Sequence, residues 1–165
     1  MSCEQLWLGG LTATSVRAVA KLARDNDSVV LACRAGTRGP FIRGNAVASV
    51  GNIAKLEITG LTANTAYTCR IEPGTAPAVG LTGSFTTLPS GTNVSFLVAL
   101  CGDADTGSNH AVFDTIRVSG ARFGIHLGDK HYRNIGTARH AEYRSAIDEV
   151  FAQSRPAALY RAFPW

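Results

Sequence analysis

At 165 residues the chain is long enough for one medium domain or two small ones, and 45% hydrophobic residues with 17% charged exclude a disordered chain. Its net charge of +4 arises from Lys and Arg scattered without a run of three, which argues against a nucleic-acid binder while leaving an anionic small-molecule partner open. No stretch approaches the ~20 apolar residues of a membrane span, and Met-Ser-Cys-Glu-Gln-Leu-Trp-Leu lacks the basic start and apolar run of a secretory signal, so the chain as written is expected in the cytoplasm, or exported if an upstream signal is missing.

The first half, to residue 88, alternates with period two between turn residues. Val16, Ala18 and Ala20 share one face, with Arg17 and Lys21 on the other. Leu56 and Ile58 oppose Lys55 and Glu57; Tyr67, Cys69 and Ile71 oppose Thr68, Arg70 and Glu72; Leu81, Gly83 and Phe85 close the series. About seven short strands of this kind predict a β-sandwich. Four cysteines, Cys3, Cys33, Cys69 and Cys101, show neither a CxxC pair nor zinc-finger spacing. Cys33 and Cys69 fall at inward strand positions, where a free thiol acts as a small hydrophobe. In Gly60-Leu-Thr-Ala-Asn-Thr-Ala-Tyr67 a leucine-led turn precedes a tyrosine that opens a strand. This is the pattern of a tyrosine corner, whose hydroxyl bonds back to nearby backbone. The half resembles fibronectin type III-like modules, and Trp7 and Phe41 are expected to pack rather than to bind a ligand.

Leu88-Pro-Ser-Gly-Thr is a turn-rich hinge and the expected domain boundary, separating residues 1–88 from residues 92–165. Beyond it, Phe96-Leu-Val-Ala-Leu-Cys101-Gly-Asp103 and Gly124-Ile-His126-Leu-Gly-Asp129-Lys-His-Tyr132 are apolar runs that end in metal-ligand residue types. Runs without alternation read as parallel strands covered on both faces. Between them, His110 to Ser119 carries Val112, Phe113 and Ile116 at helical spacing, which predicts a strand–helix–strand crossover. Both clusters then lie past the carboxyl ends of neighbouring strands, where open α/β sheets hold their chemistry. Asp103-Ala-Asp-Thr-Gly-Ser-Asn109 begins like a calcium loop but lacks its closing Glu. It reads better as a phosphate-side loop, with Ser108 or Asn109 capping the helix after it. A second helix is expected from Thr137 to Gln153, with Tyr143, Ile147, Val150 and Phe151 on one face. Pro156 is expected to end it, and Leu159 to Trp165 to begin a third strand.

Cys101 closing the first run, His126-Leu-Gly-Asp129 closing the second and Tyr132 just beyond, all after a sandwich, resemble the alkaline phosphatase D (PhoD-like) family. The resemblance spans nearly the whole chain. It implies an α+β two-domain arrangement: an all-β fibronectin type III-like sandwich, then the N-terminal βαβα part of an α/β metallophosphatase domain. It further implies hydrolysis of small-molecule phosphate esters at a dinuclear centre of Fe3+ and a divalent metal, Ca2+ in the best-known members. Carried over by position, Cys101, Asp129 and Tyr132 are the ferric ligands, Asp129 bridges to the second metal, and Asp103 rivals Cys101. Carboxylate and phenolate oxygens suit a hard trivalent cation, and a thiolate adds electron density.

Plainer roles stand beside these. Cys101 could be an apolar filler, Asp129 a turn cap and Tyr132 a surface residue. His126 is expected to be structural or to orient a ligand, and Asn109, His110 and His131 are candidates for phosphate contacts. The resemblance also implies a longer parent whose later motifs complete the metal site, so this chain is expected to be an inactive part of it. The rival reading is a non-catalytic sandwich binding module with a remnant phosphatase segment. Two departures stand out: Gly124 replaces a bulky apolar residue usual in the family, and Lys130 directly follows the bridging aspartate.

Overall fold

The computed structural model describes residues 2–74, 80–102, 109–136 and 138–165. The period-two half forms strands β1 (Cys3–Gly9), β2 (Val16–Leu22), β3 (Ser28–Ala35), β4 (Ile42–Arg43), β5 (Val47–Ala48), β6 (Ile53–Ile58), β7 (Ala66–Pro73) and β8 (Thr82–Thr86). One sheet runs β1-β2-β6; the other runs β4-β3-β7-β8, with β5 also on β3. The pairings within both sheets are antiparallel. The two-residue strands β4 and β5 are too short for alternation to reveal.

Alternation sets the register because a one-residue slip would turn every apolar side chain outward. Val16, Ala18, Ala20 and Leu22 of β2 meet Leu31, Cys33, Cys69 and Ile71 from the facing sheet in one buried cluster. Each fully buried leucine or isoleucine in it contributes roughly 1.5–3 kcal/mol. Cys33 lies opposite Cys69 in the β3–β7 register, and both thiols are free. The tyrosine corner is present: the Thr62 N–H donates to the Tyr67 hydroxyl at 2.9 Å, with Tyr67 buried.

One outward assignment fails. Glu72 is only 3% exposed, because Arg43 and Arg70 fold over its carboxylate from neighbouring positions on the sheet. Burial pushes its pKa up, but the two guanidinium groups outweigh that and hold it below the usual carboxylate range. Phe41 lies under both Arg34 and Arg70, a packing role as expected.

The second half contains β9 (Val98–Cys101), α1 (Val112–Arg117), β10 (Phe123–His126), α2 (His140–Ala152) and α3 (Ser154–Ala162). Strands β9 and β10 pair in parallel, with Cys101 opposite His126, so the strand–helix–strand unit is present as read. Its burial differs from the expectation. Cys101 packs with Phe113, Val150, Leu159 and Phe163, whereas Leu100, Ile125 and Leu127 are 63%, 44% and 67% exposed. The helices lie on one face only, and the other face of the pair is open.

The expected third strand is instead α3. Pro156 does not end a helix; it sits in the first turn of one, where its missing N–H would have had no helical partner anyway. Gln153 is extended and separates α2 from α3. Only Phe163–Trp165 is extended, and it bridges the two halves: the Gly124 N–H donates to the Pro164 carbonyl and the Trp165 N–H to the Leu8 carbonyl, both at 2.8 Å.

Helix α3 packs against β1, β8, α1 and α2. Trp7 of β1 stacks on Phe151 of α2 with ring centroids 4.7 Å apart, and Phe151 meets Tyr160 of α3 edge-on at the same separation. Lys21 pairs with Asp148 at 2.7 Å, and Arg144 donates to the Gly51 carbonyl at 2.7 Å. Helix α2 is thus pinned to the outer face of the β1-β2-β6 sheet.

Candidate metal site at the carboxyl ends of the parallel strands

Because β9 and β10 are parallel and in register, their ends deliver Cys101 and His126 side by side, with Asp129 and Tyr132 on the loop that follows. The Leu127 N–H donates to the Cys101 carbonyl at 2.8 Å, and the Gly128 N–H donates to His126 Nδ1 at 3.3 Å. His126 therefore folds the loop back at the strand end, in keeping with a structural role. Gly128 has φ 133° and Asp129 φ 48°, a left-handed pair that only glycine and short polar residues adopt readily. This turn holds the Asp129 carboxylate where the Tyr132 hydroxyl donates to its Oδ2 at 3.0 Å. Arg133 then anchors the loop to α2 through Ser145 and Glu149.

Asp129 and Tyr132 are brought together on the exposed side. Cys101 is 8% exposed and sits at the edge of the second hydrophobic cluster, so it fills that core as well as ending the strand. Asp103 lies outside the described residues, as does most of the calcium-loop-like segment. Among the described residues, no three of His, Cys, Asp and Glu come together.

The phosphate-contact candidates separate. Asn109 is spent on α3, accepting from the Arg155 N–H at 3.0 Å through Oδ1 and donating to Ser154 Oγ at 3.2 Å. It caps α3 rather than α1. His110 Nδ1 accepts from the Val112 N–H at 3.1 Å and takes over the start of α1; Ser108 lies outside the described residues. His131 stands edge-on to Tyr143 at 6.5 Å, and its buried Nδ1 has no hydrogen-bond partner among the described residues.

The placement of Lys130 and Tyr160 near Cys101 was not apparent from sequence. Lys130 is partly buried, with Nζ 5.7 Å from the Phe151 ring centre. Burial draws its pKa below the ordinary lysine range, and the nearby Cys101 sulfur opposes that shift. Tyr160 on α3 is 2% exposed; burial, then the nearby Cys101 sulfur, pushes its hydroxyl up. The helical spacing of Pro156, Leu159, Tyr160 and Phe163 was the available signal for α3, and the flanking prolines obscured it.

Gly124 is explained by Trp165. A Cβ at Gly124 would lie 2.5 Å from Cζ3 and 2.6 Å from Cδ2 of the Trp165 ring. The indole occupies the volume that a bulky strand residue would take.

No model of a known protein family and no curated protein matches the chain in sequence. Among solved structures it is similar to "Structure of PhoD" at 19% identity and TM-score 0.77, over 98% of this chain and 37% of that one. A fibronectin type III domain of human collagen XX aligns at 22% identity and TM-score 0.42, over 52% of this chain and 90% of that domain. One from human contactin 1 aligns at 12% and 0.44, over 58% and 83%. The chain spans little more than a third of the PhoD chain it matches. Over nearly its own whole length, a mostly β-sandwich followed by a few helices, it has the fold of that part of PhoD.

Proposed function

We propose that this chain is the N-terminal part of a metal-dependent phosphoric ester hydrolase of the PhoD-like type. In this reading, residues 1–88 form the sandwich domain and residues 92–165 the first part of the metallophosphatase domain. The observation that carries it is the Asp129–Tyr132 pair, joined at 3.0 Å beside the end of a parallel strand pair that also presents Cys101. The similarity to PhoD over 98% of the chain supports the same reading.

The donor set fits part of a site for a hard cation: one carboxylate, one phenol and one thiol at a single sheet end. Asp129, Tyr132 and Cys101 would hold the ferric ion, with Asp103 as the alternative to Cys101, and Asp129 would reach a second, divalent ion such as Ca2+. A bound metal pair would supply positive charge to hold a phosphoryl group and would lower the pKa of bound water. The chain's own part is proton handling and positioning. The proton on Tyr132 Oη, which now bonds to Asp129 Oδ2, must leave before the phenolate can bind, as must the thiol proton of Cys101. Metal uptake should therefore rise with pH. Of the three phosphate-contact candidates, His131 is the one on the loop between Asp129 and Tyr132. The second reading, a non-catalytic sandwich binding module with a remnant phosphatase segment, draws on Cys101, which is buried in the second hydrophobic cluster.

The test is ferric citrate titrated into the chain and followed by visible absorption. A phenolate-to-iron charge-transfer band should appear, vanish in Tyr132→Phe and weaken in Asp129→Asn. No band, or an unchanged band in Tyr132→Phe, would reject the assignment.

A further inference from the structure

The outer face of the β1-β2-β6 sheet is not fully covered by α2. Between them lies a groove of about 740 Å³, within the range of small-molecule sites. Its floor is Trp7, Val19 and Ile53 from three adjacent strands, and its wall is Tyr143 and Ile147 of α2. The wall is anchored, not loosely apposed. Arg144 to the Gly51 carbonyl, Lys21 to Asp148 and Trp7 to Phe151 fix the helix to the sheet. Pinning on both sides keeps the groove open without ligand, so binding costs little ordering of the wall.

The charges around the groove are uneven. The titratable groups on it are Lys55 from the sheet and His140, Tyr143, Arg144 and Asp148 from α2. Asp148 is already paired with Lys21, which also lies 3.8 Å from Glu4. Glu57, on the same side of β6 as Lys55, pairs with Arg17 at 3.2 Å. Among the described residues, neither Lys55 nor Arg144 has a carboxylate within ion-pair distance. An apolar slot with two aromatic rings and unneutralised cations at its mouth suits an amphiphilic anion.

We propose that this groove binds a small molecule with a flat apolar body and one anionic group, of the aryl sulfonate or aryl carboxylate class. The body lies against Trp7, Val19 and Ile147 and the anion meets Lys55 and Arg144. None of Cys101, Asp129 and Tyr132 lines the groove, although its wall residue Tyr143 packs against His131 of the Asp129–Tyr132 loop; the proposal does not depend on the phosphatase reading.

The probe is 1-anilinonaphthalene-8-sulfonate, compared with neutral N-phenyl-1-naphthylamine, on the 165-residue chain. The sulfonate should bind saturably at one site and quench Trp7, with Trp165→Phe used to isolate that signal. The neutral probe should bind about tenfold or more weaker, the effect of losing one charged contact. Lys55→Gln, at an exposed strand position, should bring the sulfonate close to the neutral probe's affinity, and Tyr143→Ala should weaken both probes. Thermal melts confirm that each variant is folded. Equal affinity for the two probes, or sulfonate binding indifferent to both substitutions, overturns the proposal, the latter pointing to the open face of Leu100 and Ile125. A dimer in sedimentation that excludes the probe would also overturn it, since a second copy would then be the occupant.

Discussion

Replacing Gly124 with alanine tests how the two halves are joined. The new methyl would stand 2.5–2.6 Å from two carbons of the Trp165 ring, where carbon atoms prefer about 3.5–4.0 Å, so the ring must shift by about 1 Å. It has little room to do so. It stacks on Phe163 at 5.5 Å and meets Tyr160 edge-on at 5.4 Å, while its backbone N–H is bonded to Leu8. Overpacking of this kind costs about 1–3 kcal/mol. Exchanging glycine for alanine at a compatible strand position returns about 0.4–1 kcal/mol through the unfolded chain. The net loss should be about 1–2 kcal/mol. In a Trp165→Ala background the clash is gone, and Gly124→Ala should be neutral or stabilising by up to about 1 kcal/mol. The cycle therefore predicts a coupling of about 1–3 kcal/mol, read from urea unfolding followed by circular dichroism. An equal cost in both backgrounds would refute the reasoning, as would no cost in the natural one.

Tyr67→Phe should destabilise the chain by about 1–3 kcal/mol, because the Thr62 N–H loses its acceptor at a buried corner; unchanged urea unfolding would show that bond to be idle. Glu72 should make stability acid-sensitive. Its carboxyl is held below its ordinary value of 4.5 by Arg43 and Arg70, so its contribution is complete above about that pH and is lost as pH falls through the lowered pKa. Glu72→Gln should lower stability at neutral pH by about 1–3 kcal/mol and flatten the decline below pH ~4.5; a variant with the parent's pH profile would assign the acid sensitivity elsewhere.

Local patterns and short-range bonds determined what the sequence made legible. Alternation at Val16–Ala20, Leu56–Ile58 and Tyr67–Ile71 is enough to define a sandwich, because the inward face of each strand follows from parity alone. The tyrosine corner joins residues five apart and needs no distant partner. Likewise Cys101 and His126 end their strands where the apolar runs stop. What the tertiary structure decided was long-range. Glu72 is buried only because Arg43, from another strand, reaches over it. Asn109 caps a helix that begins 45 residues later. The tail from Leu159 was ambiguous on its own, since a short apolar run serves helix or strand equally well. It became a helix where it packs on β1 and β8, and extended only where Trp165 fills the space over Gly124. Whether Gly124 weakens its strand or admits an indole could not be read from either residue, because the two meet only once the chain has folded around both.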